Sequence, residues 1–256
     1  MRSDGAAART ERRWLKRFGR SGPDGDVRLL CFHHAGGTAG VYRRWAEVLP
    51  PAIEPVGVQL PGRADRFAES AFTRMEPLLD ALVEVAGPLL DRPFACYGAS
   101  MGARVAWAFT QALRDRALPL PRVLFVASSA APTEAVDWPW ERHWDRLEGY
   151  LEEMGGTPPE VLAEPDLLRA LVPTLRADLE VLSYHSPRPA PPLDVPIHGF
   201  AGAKDPNDPP EKMRPWAQQT TAGFALDVVD SGHFYDIDAE DAVIRTIAAT
   251  LRPSAG

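Results

Sequence analysis

The sequence predicts an α/β fold: a mostly parallel sheet flanked by helices, with a helical insertion late in the chain. Three observations carry this. From Val27 onward, short apolar runs alternate with amphipathic segments of helix length. Such spacing implies βαβ crossovers and a parallel sheet covered on both faces. Late in the chain, between Ala131 and Pro192, lies one long interval without a strand pattern but rich in helical ones. The 256 residues, 45% hydrophobic and 25% charged, suit one large α/β domain with a substantial core.

The elements follow in order. "VRLLCF" reads as a buried strand, "HHAGGTAGVY" as a glycine-rich loop, and "RRWAEVLP" as a helix stopped by Pro50 and Pro51. "EPVGVQL" is the second strand, ending at the Pro61-Gly62 turn; residues 75–90 form a helix, and "PFACYG" is the third strand. "SMGARVAWAFTQALRDRA" is a helix with apolar residues at Val105, Ala108, Phe109 and Ala112. "RVLFVASSA", "VPIHGFAG" and "FALDVVD" are three more strands, and "AEDAVIRTIAATL" closes the chain as a helix. The insertion, about residues 132–192, holds "WERHWDRLEGYLEEMG", "DLLRALVPTL" and "RADLEVLSYH". Placed over the carboxyl ends of the strands, where open α/β sheets bind ligands, it is a lid. Residues 1–12 are expected as a polar, poorly ordered tail and 13–252 as a single domain, with "ERRWLKRFGR" a short helix or strand on the body.

Bulk properties narrow the function. A net charge of −7 argues against general affinity for nucleic acid or an anionic membrane. The N-terminus lacks the apolar core of a secretory signal, and no stretch approaches the roughly 18 apolar residues that cross a bilayer. Cys31 and Cys96 sit in apolar strand runs and read as buried thiols of a cytoplasmic protein.

The chemistry centres on Gly98-Ala99-Ser100-Met101-Gly102, a G-x-S-x-G pattern. The pattern is weak by itself, but a strand runs into it and a helix leaves it, the context of a sharply bent turn that exposes a nucleophilic serine. A serine hydroxyl needs a base within hydrogen-bond reach, oriented by a third group. Of six histidines, His143 and His185 fall in the insertion, His198 inside a strand, and His33 and His34 after the first strand. His233, in "VVDSGHFYDID", follows the last strand, where it can face a serine on another strand's carboxyl edge. The acid belongs between serine and histidine in chain order. "AGAKDPNDPP" offers Asp205 and Asp208, each followed by proline, which stiffens the loop; Asp205 is nearer the strand end and is preferred. An oxyanion hole needs two backbone N–H groups, and Met101 and Ala35 are the candidates. "HHAGGTAG" lacks the Rossmann and Walker spacings, and no cluster has convincing metal-ligand spacing, so no cofactor or metal is expected.

Several stretches together resemble the type II thioesterases associated with polyketide synthases and nonribosomal peptide synthetases: "RLLCFHHAGG", "VGVQLPGRADRF", "YGASMGA", "LVPTLRADLEVL" and "SGHFY". Of these, "QLPGR" and "LVPTLRADLEVL" are the most specific. The resemblance covers most of the chain from about Trp14 to Pro253. It implies an α/β-hydrolase fold with a helical lid, a triad on Ser100, Asp205 and His233, and oxyanion amides at Ala35 and Met101. It further implies hydrolysis of acyl groups from phosphopantetheine arms, clearing misprimed or stalled units from an acidic acyl or peptidyl carrier protein. The chain itself is expected to be a monomer, with Arg43, Arg44, Arg63 and Arg66 as candidate carrier contacts. An acyltransferase, a free-standing esterase or a non-catalytic binding protein are the rival readings.

The chain departs from the family pattern at three places. Ala99 stands where a histidine is usual, His33 where proline is usual, and "SSAAP" where "SGRRAP"-like residues are usual. The first change removes a bulky polar group beside the nucleophile and is expected to alter the pocket floor or the serine's environment. "DWPWERHW" is unusually rich in tryptophan, which fits packing of the lid onto the body better than the alternatives of an enlarged apolar acyl pocket or a carrier-docking surface.

Overall fold

In the computed structural model, residues 2–18, 26–132, 139–155, 157, 159–183, 185 and 190–252 are described. The strands among them are β1 (Leu15–Arg17), β2 (Val27–Phe32), β3 (Ile53–Val58), β4 (Phe94–Ala99), β5 (Leu124–Ala127), β6 (Ile197–Gly202) and β7 (Phe224–Val229). They form one sheet in the order β1-β3-β2-β4-β5-β6-β7, parallel throughout except that β1 runs antiparallel to β3. The parallel α/β architecture is therefore the expected one.

Period-2 alternation distributes each strand between two core layers. In β4, Phe94 and Cys96 join one layer while Ala95 and Tyr97 join the other; in β5, Leu124 and Val126 oppose Phe125 and Ala127. The helices α3 (Met75–Ala86) and α4 (Met101–Asp115) cover the first layer. The second is closed by α2 (Trp45–Val48) and the last helix, Ile237–Thr250, with Tyr42 edge-on to both Trp45 and Tyr97. Cys31 and Cys96 are buried free thiols, and burial pushes both up, out of the nucleophilic range.

Two segments differ from expectation. Where a poorly ordered tail is expected, Arg2–Trp14 is the helix α1. Its Ala- and Arg-rich run favours helix, and Trp14 seals its end, buried, with the Arg66 guanidinium 4.0 Å from the ring centroid. In the insertion, the two adjoining helical stretches are one helix, α7 (Pro165–Ser183), which passes through Pro173 and so forgoes one main-chain hydrogen bond. The rest of the insertion has α5 (Leu147–Met154) and α6 (Pro159–Leu162).

The tryptophan contacts join segments of the lid to one another rather than to the body. Trp140 is buried, with its indole N–H on Ser183 Oγ at 3.3 Å and its ring edge-on to Tyr150, while Trp144 lies under the Arg176 guanidinium. Asp137 and Trp138 lie outside the described residues. No helix is long and apolar enough to cross a membrane among the described residues.

Candidate active site

The parallel strands all end on one edge of the sheet, and each candidate side chain stands just past such an end. Ser100 follows β4 directly, at the start of α4, with φ 53° and ψ −118°. That conformation is costly for a residue with a Cβ and is held by its surroundings. Gly98 and Gly102 explain how the turn closes. A Cβ on Gly98 would stand 2.1 Å from the Gly102 carbonyl oxygen, and one on Gly102 would stand 2.0 Å from the Phe32 carbonyl oxygen. Only glycine allows β2, β4 and α4 to approach so closely.

Asp205 and His233 arrive from the loops after β6 and β7. Those loops touch, since a Cβ on Gly202 would lie 2.2 Å from the Gly232 carbonyl oxygen. His233 Nδ1 is 2.8 Å from Asp205 Oδ2, and His233 Nε2 is 3.1 Å from Ser100 Oγ. With Nδ1–H donating to the carboxylate, Nε2 presents its lone pair to the serine hydroxyl. The three candidates thus form one hydrogen-bonded chain, with Asp205 and His233 both buried.

The two aspartates occupy opposite environments. Asp205 Oδ1 accepts the N–H groups of Asn207 (2.9 Å) and Asp208 (3.0 Å), which turns Oδ2 toward the histidine. Burial pulls its pKa upward, but the His233 hydrogen bond and charge and these two N–H groups outweigh burial and hold it below the usual carboxylate range. Asp208 is spent elsewhere: its Oδ1 accepts Ala130 N–H at 2.7 Å, and its Oδ2 stays 3.8 Å from His233 Nδ1. Burial pushes its pKa up, against the opposing pull of His233 and the Ala130 N–H. Asp205, Asp208 and His233 do bring three donors within 4.8 Å of one another, a grouping the sequence spacing hides. Both oxygens of Asp205, Asp208 Oδ1 and both ring nitrogens of His233 already take part in the bonds just described.

Met101 is the first residue of α4, directly after Ser100, so its N–H has no partner within the helix. Ala35, in the loop after β2, lines a cavity together with Ser100. The cavity measures about 190 Å³. Its floor holds Ser100, His233, His34 and Ala35; its roof is lid, including Tyr150, Leu151, Met154, Val161, Leu171 and Leu175. The walls are chiefly apolar, and the lid therefore covers the strand ends as its composition implies.

Neither His33 nor His34 competes as the base. Burial, with Arg63 adding its charge, pushes His33 well down, and its Nδ1 is bonded to the His34 carbonyl oxygen. His34 is lowered to about 4 by burial first and then by His233 and Arg63, so it is neutral at pH 7. It lines the cavity with its ring edge-on to Phe234.

Two expectations are corrected. Ala99 is not in the lining of the cavity: Gly98 faces α4, so its neighbour Ala99 faces the opposite core layer and packs against it. The proposed carrier contacts are also reassigned in part. Arg63 and Arg66 are both 4% exposed, the first paired with Asp178 and the second with Glu69, and Arg44 is engaged by Glu240 and Asp241. A fork of five donors satisfies several acceptors at once, which is how Arg63 and Arg66 are held facing inward. Sequence reading missed Asp178 altogether, although it lies within the segment most specific to the resembled family.

Comparison with known proteins agrees with this architecture. Residues 27–251 match the thioesterase domain family. The thioesterase PikA5 of Streptomyces venezuelae is 33% identical over 245 residues, covering 95% of this chain and 87% of PikA5. Among solved structures, the thioesterase RedJ from the prodiginine pathway of Streptomyces coelicolor superposes with a TM-score of 0.84 at 33% identity, covering 89% of this chain and 91% of RedJ. BorB, a type II thioesterase from the borrelidin biosynthetic cluster, gives a TM-score of 0.84 at 31% identity over 93% of this chain and 98% of BorB.

Proposed function

The chain belongs to the thioesterase family, and from that premise we propose that it is a type II, editing thioesterase that hydrolyses acyl groups from the phosphopantetheine arms of carrier proteins in polyketide or nonribosomal peptide synthesis. The observation that carries the reading is the Asp205–His233–Ser100 chain, 2.8 and 3.1 Å long in its two links, lying beneath a chiefly apolar cavity. The likeness to PikA5 and BorB over nearly the whole chain supports the substrate class.

In the proposed mechanism His233 Nε2 takes the proton of Ser100 as Oγ attacks the thioester carbonyl. Charge gathers on the carbonyl oxygen, where the N–H groups of Met101 and Ala35 stabilise it. The C–S bond breaks, and the thiolate leaves with the proton carried by His233. Water then attacks the acyl-serine ester, giving its proton to His233, and the acid is released as Ser100 recovers a proton. Asp205 keeps the imidazole in the tautomer that leaves Nε2 free and stabilises the imidazolium formed in each half. No metal or cofactor takes part. The protein acts as a monomer in a reducing cytoplasm, a compartment that its two buried free thiols support.

The test is incubation with a panel of acyl carrier proteins, following released acid by mass spectrometry, with Ser100→Ala as control. Carrier-bound thioesters should be cleaved faster than simple esters, the product should be free acid, and the control should be inert. Undiminished turnover by Ser100→Ala, or an ester or amide product in place of acid, would remove this reading.

A further inference from the structure

The loop carrying Ala35 is not held by the sheet alone. Gly36 N–H donates to Asp178 Oδ2 at 2.8 Å, and Asp178 belongs to the lid helix α7. The same carboxylate receives both arms of Arg63: Nη1 on Oδ2 at 2.6 Å and Nη2 on Oδ1 at 2.7 Å. Arg63 in turn donates from Nη1 to the Gly37 carbonyl at 3.2 Å and from Nε to the Pro61 carbonyl at 3.2 Å. Both side chains are almost wholly buried, 4% and 3% exposed. The pair therefore grips the loop at two consecutive residues, by the N–H of Gly36 and the carbonyl of Gly37.

Gly36 has φ +73°, so the peptide joining Ala35 to Gly36 lies at a bend that glycine adopts freely and that sterics alone do not fix. A buried, bidentate, charge-assisted clamp supplies what sterics do not. A pair chosen only for stability is readily replaced by apolar packing, because two buried charges are costly to desolvate. Here the carboxylate spends one acceptor site on a main-chain N–H adjoining a proposed oxyanion donor. We propose that Asp178 is a positioning residue for the oxyanion hole: held by Arg63, it fixes the orientation of the Ala35–Gly36 peptides and couples the lid helix to that loop. This rests on the reading of Ala35 and Met101 as oxyanion donors.

Removing Asp178 alone leaves Arg63 buried and uncompensated, which endangers folding. The test therefore compares R63M/D178N with R63M/D178L. Both lack the buried charges, but only the first keeps an oxygen that can accept the Gly36 N–H. Three quantities are read: kcat and KM with a carrier-bound butyryl thioester, affinity for propylboronic acid, whose tetrahedral adduct mimics the oxyanion, and affinity for S-butyl pantetheine, a thioether with no carbonyl. The expected result is a kcat about tenfold or more lower in R63M/D178L than in R63M/D178N, since a displaced oxyanion donor loses much of its effect. KM should agree within about twofold, boronate binding should weaken in step with kcat, and thioether binding should be equal. If R63M/D178L does not fold, R63M/D178A carries the same expectation.

Equal kcat in the two variants, or boronate and thioether binding falling together, overturns the positioning role and leaves a structural one. Thr174→Val, which deletes another lid-to-loop bond (Thr174 Oγ1 to the Gly62 carbonyl, 2.6 Å) without touching Gly36, should keep wild-type kcat. A loss there as large as in R63M/D178L also overturns it. If wild-type turnover survives Ser100→Ala, the underlying catalytic reading fails, and the inference with it. Loss of turnover in Ser100→Ala with equal double variants sinks the inference alone.

Discussion

The strand-end edge and the lid over it are built on different principles. At the edge, backbone meets backbone: Gly98, Gly102 and Gly202 each sit where a Cβ would fall within 2.0–2.2 Å of a carbonyl oxygen. In the lid, Gly155 has nothing within 4 Å of the place its Cβ would take. The lid is knit together by side chains such as Trp140 and Trp144, and is tied to the loops beneath by bonds at Thr174 and Asp178. Contacts between main chains fix the serine, histidine and acid against one another, and they tolerate no exchange of residues. The side chains that shape the cavity can be exchanged, so acyl preference can change while the reacting groups stay in place.

The sharpest contrast within the edge is between its two carboxylates. Asp205→Asn should lower kcat about 10⁴-fold by favouring the wrong histidine tautomer, whereas Asp208→Asn should cost no more than about tenfold, or ~1.4 kcal/mol of barrier. Steady-state kinetics on a carrier-bound thioester decide it, and the reverse order reassigns the acid. Next comes a comparison of glycines. Gly102→Ala should destabilise the protein by about 4 kcal/mol or more, the range of severe core defects. Gly155→Ala should cost only about 1–3 kcal/mol, the strain of its φ of +68°. Similar shifts in a denaturant titration would mean that the edge yields as readily as the lid.

A smaller effect concerns pH. The folded pKa of His34, about 4, lies below the ordinary 6.5. Between those values the unfolded chain binds a proton that the folded protein does not, so stability rises with pH. It is therefore lost as pH falls from 6.5 toward 4, and His34→Asn should flatten that slope when unfolding is measured at several pH values. An unchanged slope would mean that His34 takes up its proton in the folded protein as it does in solution. Smallest of all, Ala99→His should leave kcat/KM within about twofold, under ~0.5 kcal/mol, because the side chain faces away from the cavity. A marked change in acyl preference would return this position to the pocket.

The strand pattern, the turn at Ser100 and the loops that bring Asp205 and His233 to it were all legible along the chain. They depend on local periodicity and on what a βα unit does at its carboxyl end. The choice between Asp205 and Asp208 was only partly legible, since both sit on one short loop. It turns on which carboxylate the Asn207 and Asp208 N–H groups clasp and which one Ala130 occupies. The facing of Ala99 was readable from Gly98 by alternation alone. The inward role of Arg63 was not, because its partner lies 115 residues away on the lid. Nothing in local sequence distinguishes an arginine that forks onto a buried carboxylate from one that meets solvent.

Activation of Ser100 by His233 is best tested by labelling with a small alkyl fluorophosphonate, which needs no knowledge of the substrate. The expected result is one adduct, mapped by peptide mass spectrometry to Ser100, formed about 10³-fold or more slowly in His233→Ala. An adduct on another residue, or equal labelling rates in the two proteins, would contradict the assignment of nucleophile and base.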